Sequence, residues 1–375
     1  MRIVQLVTRR QRRGAEIFAA QLSDALTKRG HAVTLVGLYE PASPGVTPEH
    51  ADYCDLGIKR RRVPSVRGVK ALGGLLARLS PDLVQANASD TLEYSALCRM
   101  GRQTLWRLVY RNASLSSPWL RWRFQRTLGR LWLRQVDHVV SVSQNCKRDF
   151  LLTYGVLDGH VSVIPIGTPV GQYRARRAGK AGLVEIGNVP EEAEVVAVVG
   201  ALVPEKNHLW MLDAFARISH ARPSAYLIVI GEGPLRPRIE TKVHQLGLEQ
   251  RVRLLGSRSD AAVLLAGADL LVLPSVIEGL PGVILEAAAA GIPCVASRVG
   301  GVPEAVVEGE TGIMVPPGDM MRFCEATLGL LGDTECRHRM GEAARDLVHA
   351  KYGLDRIVDQ FESCYHGLLR SRDGH

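Results

Sequence analysis

Short apolar runs alternate with amphipathic stretches along almost the whole chain. Ile3 to Val7 is a strand-length apolar run. A basic loop with Gly14 follows, and Ala15 to Arg29 carries its apolar residues at helical spacing, with Gly30 to stop it. The same alternation predicts strands over Val33 to Leu38, Asp82 to Gln85, Arg107 to Tyr110 and His138 to Val142. Helices are predicted within Val69 to Leu79, around Thr91 to Met100 and across Trp119 to Gln135. Strands alternating with helices specify a parallel α/β sheet.

A second series begins after Pro165, Gly167, Pro169 and a mixed Arg, Gly and Ala stretch reaching about Pro190, which reads as a linker. Strands are predicted over Val195 to Val199, Tyr226 to Ile230, Val252 to Leu255, Leu270 to Leu273 and Pro293 to Ala296. Helices between them cover His208 to His220, Leu235 to Leu246, Ala261 to Ala266 and Val283 to Ala290. Three helical segments close the chain, the last over Leu354 to Leu369. The expectation is two doubly wound α/β domains, 1–170 and 187–352, with 353–375 as a C-terminal helix packing back toward the first. In open α/β sheets ligands sit beyond the carboxyl ends of the strands, so the chemistry is expected in post-strand loops lining a cleft between the domains.

Length and composition agree with this: 375 residues suffice for two cores. No apolar run approaches the roughly 20 residues of a membrane span. The N-terminus lacks the apolar region and cleavage site of a secretory signal, which points to the cytoplasm. Seven scattered cysteines without a CxxC spacing read as reduced, mostly buried thiols. Charge changes the picture more. Residues 1–180 hold 29 Lys and Arg against 12 Asp and Glu, whereas the remainder holds 18 against 26. The basic half should meet something anionic, whether a phosphorylated acceptor, an acidic membrane surface or nucleic acid.

The strongest chemical signal is SVIEGLPGVILEAAAAGIPCVAS after the strand DLLVLP. Glu278 and Glu286 are separated by seven residues, Gly279, Leu280, Pro281 and Gly282 among them. Pro281 at the expected first helical position exposes a helix N-terminus, whose free N–H groups suit a diphosphate. Carboxylates there can accept hydrogen bonds from sugar or ribose hydroxyls. On spacing alone, a helix cap followed by a solvated glutamate is equally good. Lys206 in VPEKN follows another strand and can neutralise leaving-group charge, or it is an exposed loop lysine.

With RRGAE, RGH, VGALVPEKNH, IGEGPL, VRLLGS, the Glu pair, VGGVPEAV and GIMVPPGD in order, the sequence resembles the family-4 retaining glycosyltransferases of the GT-B fold over nearly its whole length. The resemblance implies two Rossmann-like domains facing a cleft and a nucleotide diphosphate sugar as donor. It places Glu278 at the transferred sugar, Glu286 on the nucleotide ribose and Lys206 on the diphosphate. Gly14 corresponds to a glycine that lets backbone approach phosphate, although a plain tight turn explains it as well. Gly231 and Gly233 border the donor site or shape a turn. The base meets the loop with Ser257 and Arg258. Retention of anomeric configuration is likewise implied by the family.

The chain departs from the pattern twice. Ala201 stands where many members carry an arginine, so a phosphate-binding cation is missing, and Arg9, Arg10, Arg12 and Arg13 are the candidate replacements. Where many relatives carry His-Asp after a strand, Arg111 and Asn112 stand here, open to sugar or acceptor binding or to a structural role. No Asp-x-Asp loop or histidine cluster calls for a metal, and no cofactor is expected beyond the donor substrate.

WLRWRFQRTLGRLWLRQV reads as a basic amphipathic helix, with Leu120, Phe124, Leu128 and Leu131 on one face and Arg126, Arg130 and Arg134 on another. It is either an ordinary domain helix or, with Lys59, Arg60, Arg61 and Arg62, a contact for anionic lipid. Nucleic-acid signatures are absent. A dinucleotide dehydrogenase would need GxGxxG after the first strand, which VTRRQRRGAE lacks. A nucleotide-sugar epimerase and a sugar-binding protein without catalysis stay as alternatives, exposed by donor turnover without acceptor and by binding without turnover.

Overall fold

The computed structural model describes residues 1–41, 45–61, 63–100, 104–120, 122–170 and 176–373. Arg62 and Arg121 therefore lie outside the described residues. The chain divides into two compact units, Met1–Gly167 with Leu354–His375, and Thr168–Gly353.

In the first unit, β1 (Arg2–Val7), α1 (Gly14–Lys28), β2 (Ala32–Tyr39), β3 (Asp52–Ile58), α2 (Val66–Leu79), β4 (Leu83–Ala86), α3 (Ser89–Arg99), β5 (Arg107–Asn112), α4 (Arg123–Leu133), β6 (His138–Ser141), α5 (Gln144–Tyr154) and β7 (Val161–Val163) follow in turn. The second unit contains α6 (Arg176–Gly187), β8 (Glu194–Val199), α7 (His208–Ala221), β9 (Ala225–Ile230), α8 (Arg236–Gln245), β10 (Val252–Gly256), α9 (Ala261–Ala266) and β11 (Leu270–Leu273). It continues with α10 (Gly282–Ala289), β12 (Cys294–Ser297), α11 (Val302–Ala305), β13 (Gly312–Val315), α12 (Met320–Gly332) and α13 (Thr334–Lys351). The last helix, α14 (Leu354–Asp373), belongs to the first unit.

Both sheets are parallel, ordered β3-β2-β1-β4-β5-β6-β7 and β10-β9-β8-β11-β12-β13. Each order reverses direction once, at β1/β4 and at β8/β11. At such a reversal neighbouring strands send their connections to opposite faces, which opens a crevice at their carboxyl ends.

The cores are the apolar strand faces with the helices laid on them. At the centre of the second unit Val196, Val198, Leu227, Val229, Leu270 and Val272 pack against Met211, Phe215 and Phe323. In the first unit Ile3, Leu83, Val109 and Val140 meet Phe18 and Leu22 of α1 and Ile357, Phe361 and Tyr365 of α14. Among the described residues no helix is long and apolar enough to cross a membrane.

Three strands escape the hydropathy pattern, and all are sheet edges. β3 is DYCDLGI with most positions exposed or half-exposed, β7 has three residues, and β13 is GIMV. Being largely solvated, β3 loses the apolar run that marks a central parallel strand, whereas β7 is too short to show one and β13 keeps only Ile313 to Val315 between a glycine and two prolines. The stretch read as a linker holds α6, which seats on α9 because Gly179 and Gly267 let the two backbones touch: a Cβ on Gly179 would lie 2.4 Å from the Gly267 nitrogen.

A polar knot anchors α14. Tyr365 donates its hydroxyl proton to Gln85 Oε1 at 2.7 Å and accepts from Gln5 Nε2 at 3.2 Å, all three side chains being buried. Tyr365→Phe strands two buried amides and should lower the protection of the β1 and β4 amides by about 1–3 kcal/mol. Native-state hydrogen exchange reads this directly, with the β8 and β11 amides unchanged; equal loss in both sheets would contradict the local role.

Candidate functional site

The site of the second unit is built from the loops that leave β8 and β11 at the strand-order reversal. After β8 the chain makes a short 3-10 turn, Pro204–Lys206, closed by Asn207 in the left-handed region at φ +58°, and α7 then begins at His208. Two hydrogen bonds tie this turn to the β11 loop. Asn207 Nδ2 donates to the Pro274 carbonyl at 3.3 Å, and the Val276 N–H donates to the Glu205 carbonyl at 2.9 Å.

Between them, Lys206 Nζ donates to Glu278 Oε1 at 2.6 Å. The Glu278 side chain is 8% exposed and that of Lys206 is 25% exposed. A carboxylate so buried needs a partner cation, and the lysine, reaching in from the wetter side, supplies it. The main chain is held as firmly: a Cβ on Gly300 would lie 1.8 Å from the Glu278 carbonyl oxygen, and Gly300 itself is at φ +50°. Only glycine therefore fits behind Glu278. Hydropathy gives no hint of this; the VGG triplet is its sequence trace.

Gly279, Leu280 and Pro281 are buried beside Glu278. Pro281 is the N-cap of α10, one position earlier than its expected place inside the first turn, because its ψ of 105° is extended. Glu286 falls on the fifth residue of that helix and is half-buried. Burial pushes its carboxyl up to about 7. His208, two residues after Lys206, is buried with both ring nitrogens unpartnered among the described residues, and burial first, then the lysine charge, lowers it to about 4. It is neutral at physiological pH and adds no second cation beside Lys206.

Gly231 and Gly233 are explained by packing. A Cβ on Gly231 would meet the Gly200 carbonyl at 1.9 Å, and one on Gly233 the Leu202 carbonyl at 2.5 Å, so the β9 loop can lie directly under the Lys206 loop. Ser257 is exposed after β10, whereas Arg258 is forked onto Asp260 at 2.7 and 2.8 Å.

In the first unit the loop after β1 carries the arginines. Arg10 is buried and spent on Asp55, donating from Nε at 3.0 and 3.1 Å, with Nη1 on the Val46 carbonyl and the guanidinium over the Tyr53 ring. Arg9 and Arg12 are half-buried and Arg13, the N-cap of α1, is exposed. Space around Gly14 is open, so nothing in the packing requires glycine there. Arg111 and Asn112 correct the sequence reading: they lie inside β5, not in a loop, since the ladder to β6 continues through Arg111↔Val140 and Asn112↔Ser141. Asn112 Nδ2 donates to Ser141 Oγ and the Cys146 carbonyl, both at 3.3 Å.

α4 begins later than its pattern suggests. Leu120 and Trp119 precede it, and Ser117–Trp119 form a separate 3-10 turn. The helix rests on α5 through Gly129, where a Cβ would lie 2.6 Å from the Tyr154 ring, and Arg130 Nε donates to the Tyr154 carbonyl. Its expected apolar face is left uncovered: Phe124 is 66% exposed, and Leu128 and Leu131 are also exposed.

Two parallel sheets of this kind form a pair of Rossmann-like units, the GT-B fold. Anabaena HepE, solved in complex with UDP-glucose, superposes with a TM-score of 0.86 over 98% of this chain and 100% of that one, at 22% identity. The glycosyl transferases group 1 family matches residues 183–347, and Glycosyltransferase Family 4 matches residues 12–171. The chain belongs to glycosyltransferase family 4. N-acetyl-alpha-D-glucosaminyl L-malate synthase of Bacillus anthracis is 39% identical over 43% of this chain and 42% of that protein. D-inositol 3-phosphate glycosyltransferase of Corynebacterium glutamicum (strain R) is 35% identical over 63% of this chain and 59% of that protein. The chain thus spans about half the length of the curated relatives it matches.

Glu286 gives a pH test that needs no ligand. Its folded-state carboxyl titrates near 7 and its unfolded one near 4.5, so between these values the folded state holds the extra proton. Stability should fall as pH rises from 4.5 to 7 and level off above. Glu286→Gln should remove that component of the slope in denaturant titrations across this range; an unaltered slope would contradict the raised carboxyl.

Proposed function

We propose that this chain is a retaining, metal-independent glycosyltransferase of the hexosyltransferase type. It moves a sugar from a nucleotide diphosphate sugar to a hydroxyl acceptor, lipid-linked or phosphorylated, in the assembly of cell-surface glycan, lipopolysaccharide or glycolipid. The observation that carries this reading is the Lys206–Glu278 pair at the β8/β11 reversal. Support for the setting comes from the relatives' names, which include a Rhizobium meliloti lipopolysaccharide core biosynthesis glycosyltransferase, 32% identical over 46% of this chain.

In this reading the diphosphate lies over the N-terminus of α10, and the Lys206 ammonium turns from Glu278 toward it to neutralise the charge that develops as the sugar–phosphate bond breaks. Glu278 stands at the transferred sugar and Glu286 accepts from the nucleotide ribose. The acceptor oxygen attacks from the face the nucleotide leaves, and a donor phosphate oxygen takes its proton, so the anomeric configuration is kept. Glu278→Ala should lower transfer by at least a hundredfold and leave nucleotide affinity within a few fold, whereas Glu286→Ala should weaken the nucleotide itself. Thermal-shift screening of UDP-, GDP- and ADP-sugars, followed by transfer assays and NMR of the product, decides this. An inverted product sinks retention; donor turnover without acceptor points to an epimerase, and binding without turnover to a non-catalytic sugar-binding protein.

The first unit sits, in the same reading, against an anionic membrane on the cytoplasmic side. Trp119, Trp122 and Phe124 are exposed next to Leu128 and Leu131, and no Asp or Glu occurs between Glu93 and Asp137. Aromatic rings suit the interface and arginines the lipid phosphates. Vesicles containing phosphatidylglycerol should float the protein, neutral vesicles should not, and Trp122→Ser with Phe124→Ser should weaken flotation several fold. Flotation equal on neutral lipid, or none at all, contradicts the attachment.

A further inference from the structure

We infer that Arg111 is a subsite for an anionic oxygen group, carboxylate or phosphate, carried by the acceptor; this rests on the transfer reading above. Arg111 is 1% exposed, the largest fully buried side chain among the described residues. Its guanidinium lies over the Phe18 ring at 4.4 Å, and neither Nε nor Nη1 has a partner among the described residues. Burial lowers it to about 10, so it remains a cation at neutral pH. A buried cation without an ion-pair partner is costly, and its neighbours show how the fold ordinarily avoids this. Arg10 is forked onto Asp55, and Arg99 and Arg107 share Asp137.

The surrounding polar groups are already committed. Gln5, Gln85, Asn87 and Tyr365 bond among themselves. Glu16, the nearby carboxyl of α1, attracts Arg111 through space but accepts its hydrogen bond from Gln11 Nε2 at 2.8 Å, and no ion pair joins it to Arg111 among the described residues. Burial raises that carboxyl.

Position points the same way. Arg111 is the penultimate residue of β5, at the carboxyl end of the sheet and one strand from the β1/β4 reversal. Phe18, under its guanidinium, belongs to α1, a helix of 15 residues whose N-cap Arg13 gives no side-chain hydrogen bond to the first turn. An unspent planar fork beside a strand end suits a carboxylate or a phosphate.

The test uses the full chain and two probes, malonate and inorganic phosphate, titrated by calorimetry at constant ionic strength. Arg111→Met, Arg111→Lys and Lys206→Met are compared with the wild type. The wild type should bind at least one probe saturably, malonate marking a carboxylate acceptor and phosphate a phosphorylated one. Arg111→Met should bind it at least tenfold more weakly, and Arg111→Lys, which keeps the charge and loses the fork, several fold more weakly. Lys206→Met should keep the probe, and UDP, GDP or ADP affinity should not follow Arg111, which separates this proposal from the donor site. Without anion, Arg111→Met should be as stable as the wild type or more so. Should that variant not fold, Arg111→Lys decides. Undiminished probe affinity in the Arg111 variants, loss that follows Lys206 instead, or no saturable binding by the wild type overturns the proposal.

Discussion

The Lys206–Glu278 ion pair is the interaction on which the site of the second unit depends. Its partners lie 72 residues apart in the chain and meet because the strand order reverses between β8 and β11, which brings the two post-strand loops side by side. A glutamate at this depth is tolerable only while its charge is answered. The rest of the loop architecture keeps the answer in place: Asn207 and Val276 fasten the loops to each other, Gly231 and Gly233 let the β9 loop support them, and Gly300 lets the backbone close behind Glu278. The neutral His208 leaves Lys206 as the cation of that turn.

The first unit repeats the topology and solves its polar problem differently. Its carboxyl edge is filled by amides and a phenol that satisfy one another, fastening α14 to β1 and β4. Arg111 sits beside this closed network without joining it. One unit therefore presents a paired cation half open to solvent, and the other an unpaired cation at full burial. In the proposed reading the first is shared with an incoming diphosphate and the second with an anionic group of the acceptor.

Central strands and long helices are legible in the sequence because burial on both faces writes continuous apolar runs, as in Val195 to Val199 and Leu270 to Leu273. β3 is not, since it is largely solvated, nor are β7 and β13, whose apolar stretches are very short, and α6 is hidden by a composition that resembles a linker. The Glu278, Glu286 and Lys206 loops can be found from motif spacing, but the contact of Lys206 with Glu278 cannot, because it depends on strand order. Arg111 is visible as a departure from a pattern. Its burial is not, because that follows from β5 running two residues further and from Phe18 packing beneath it. Arg10 shows the reverse: a basic loop suggests a free cation, and only the fold reveals Asp55 alongside.

The central claim is that Lys206 and Glu278 act as one electrostatic unit toward the donor diphosphate, and a double-mutant cycle read as nucleotide diphosphate affinity tests it most directly. Lys206→Met leaves a buried carboxylate facing the diphosphate, so it should bind far more weakly than the wild type. Adding Glu278→Gln removes that repulsion, and the double variant should recover at least tenfold over Lys206→Met alone. A double variant that binds no better than Lys206→Met would contradict the account.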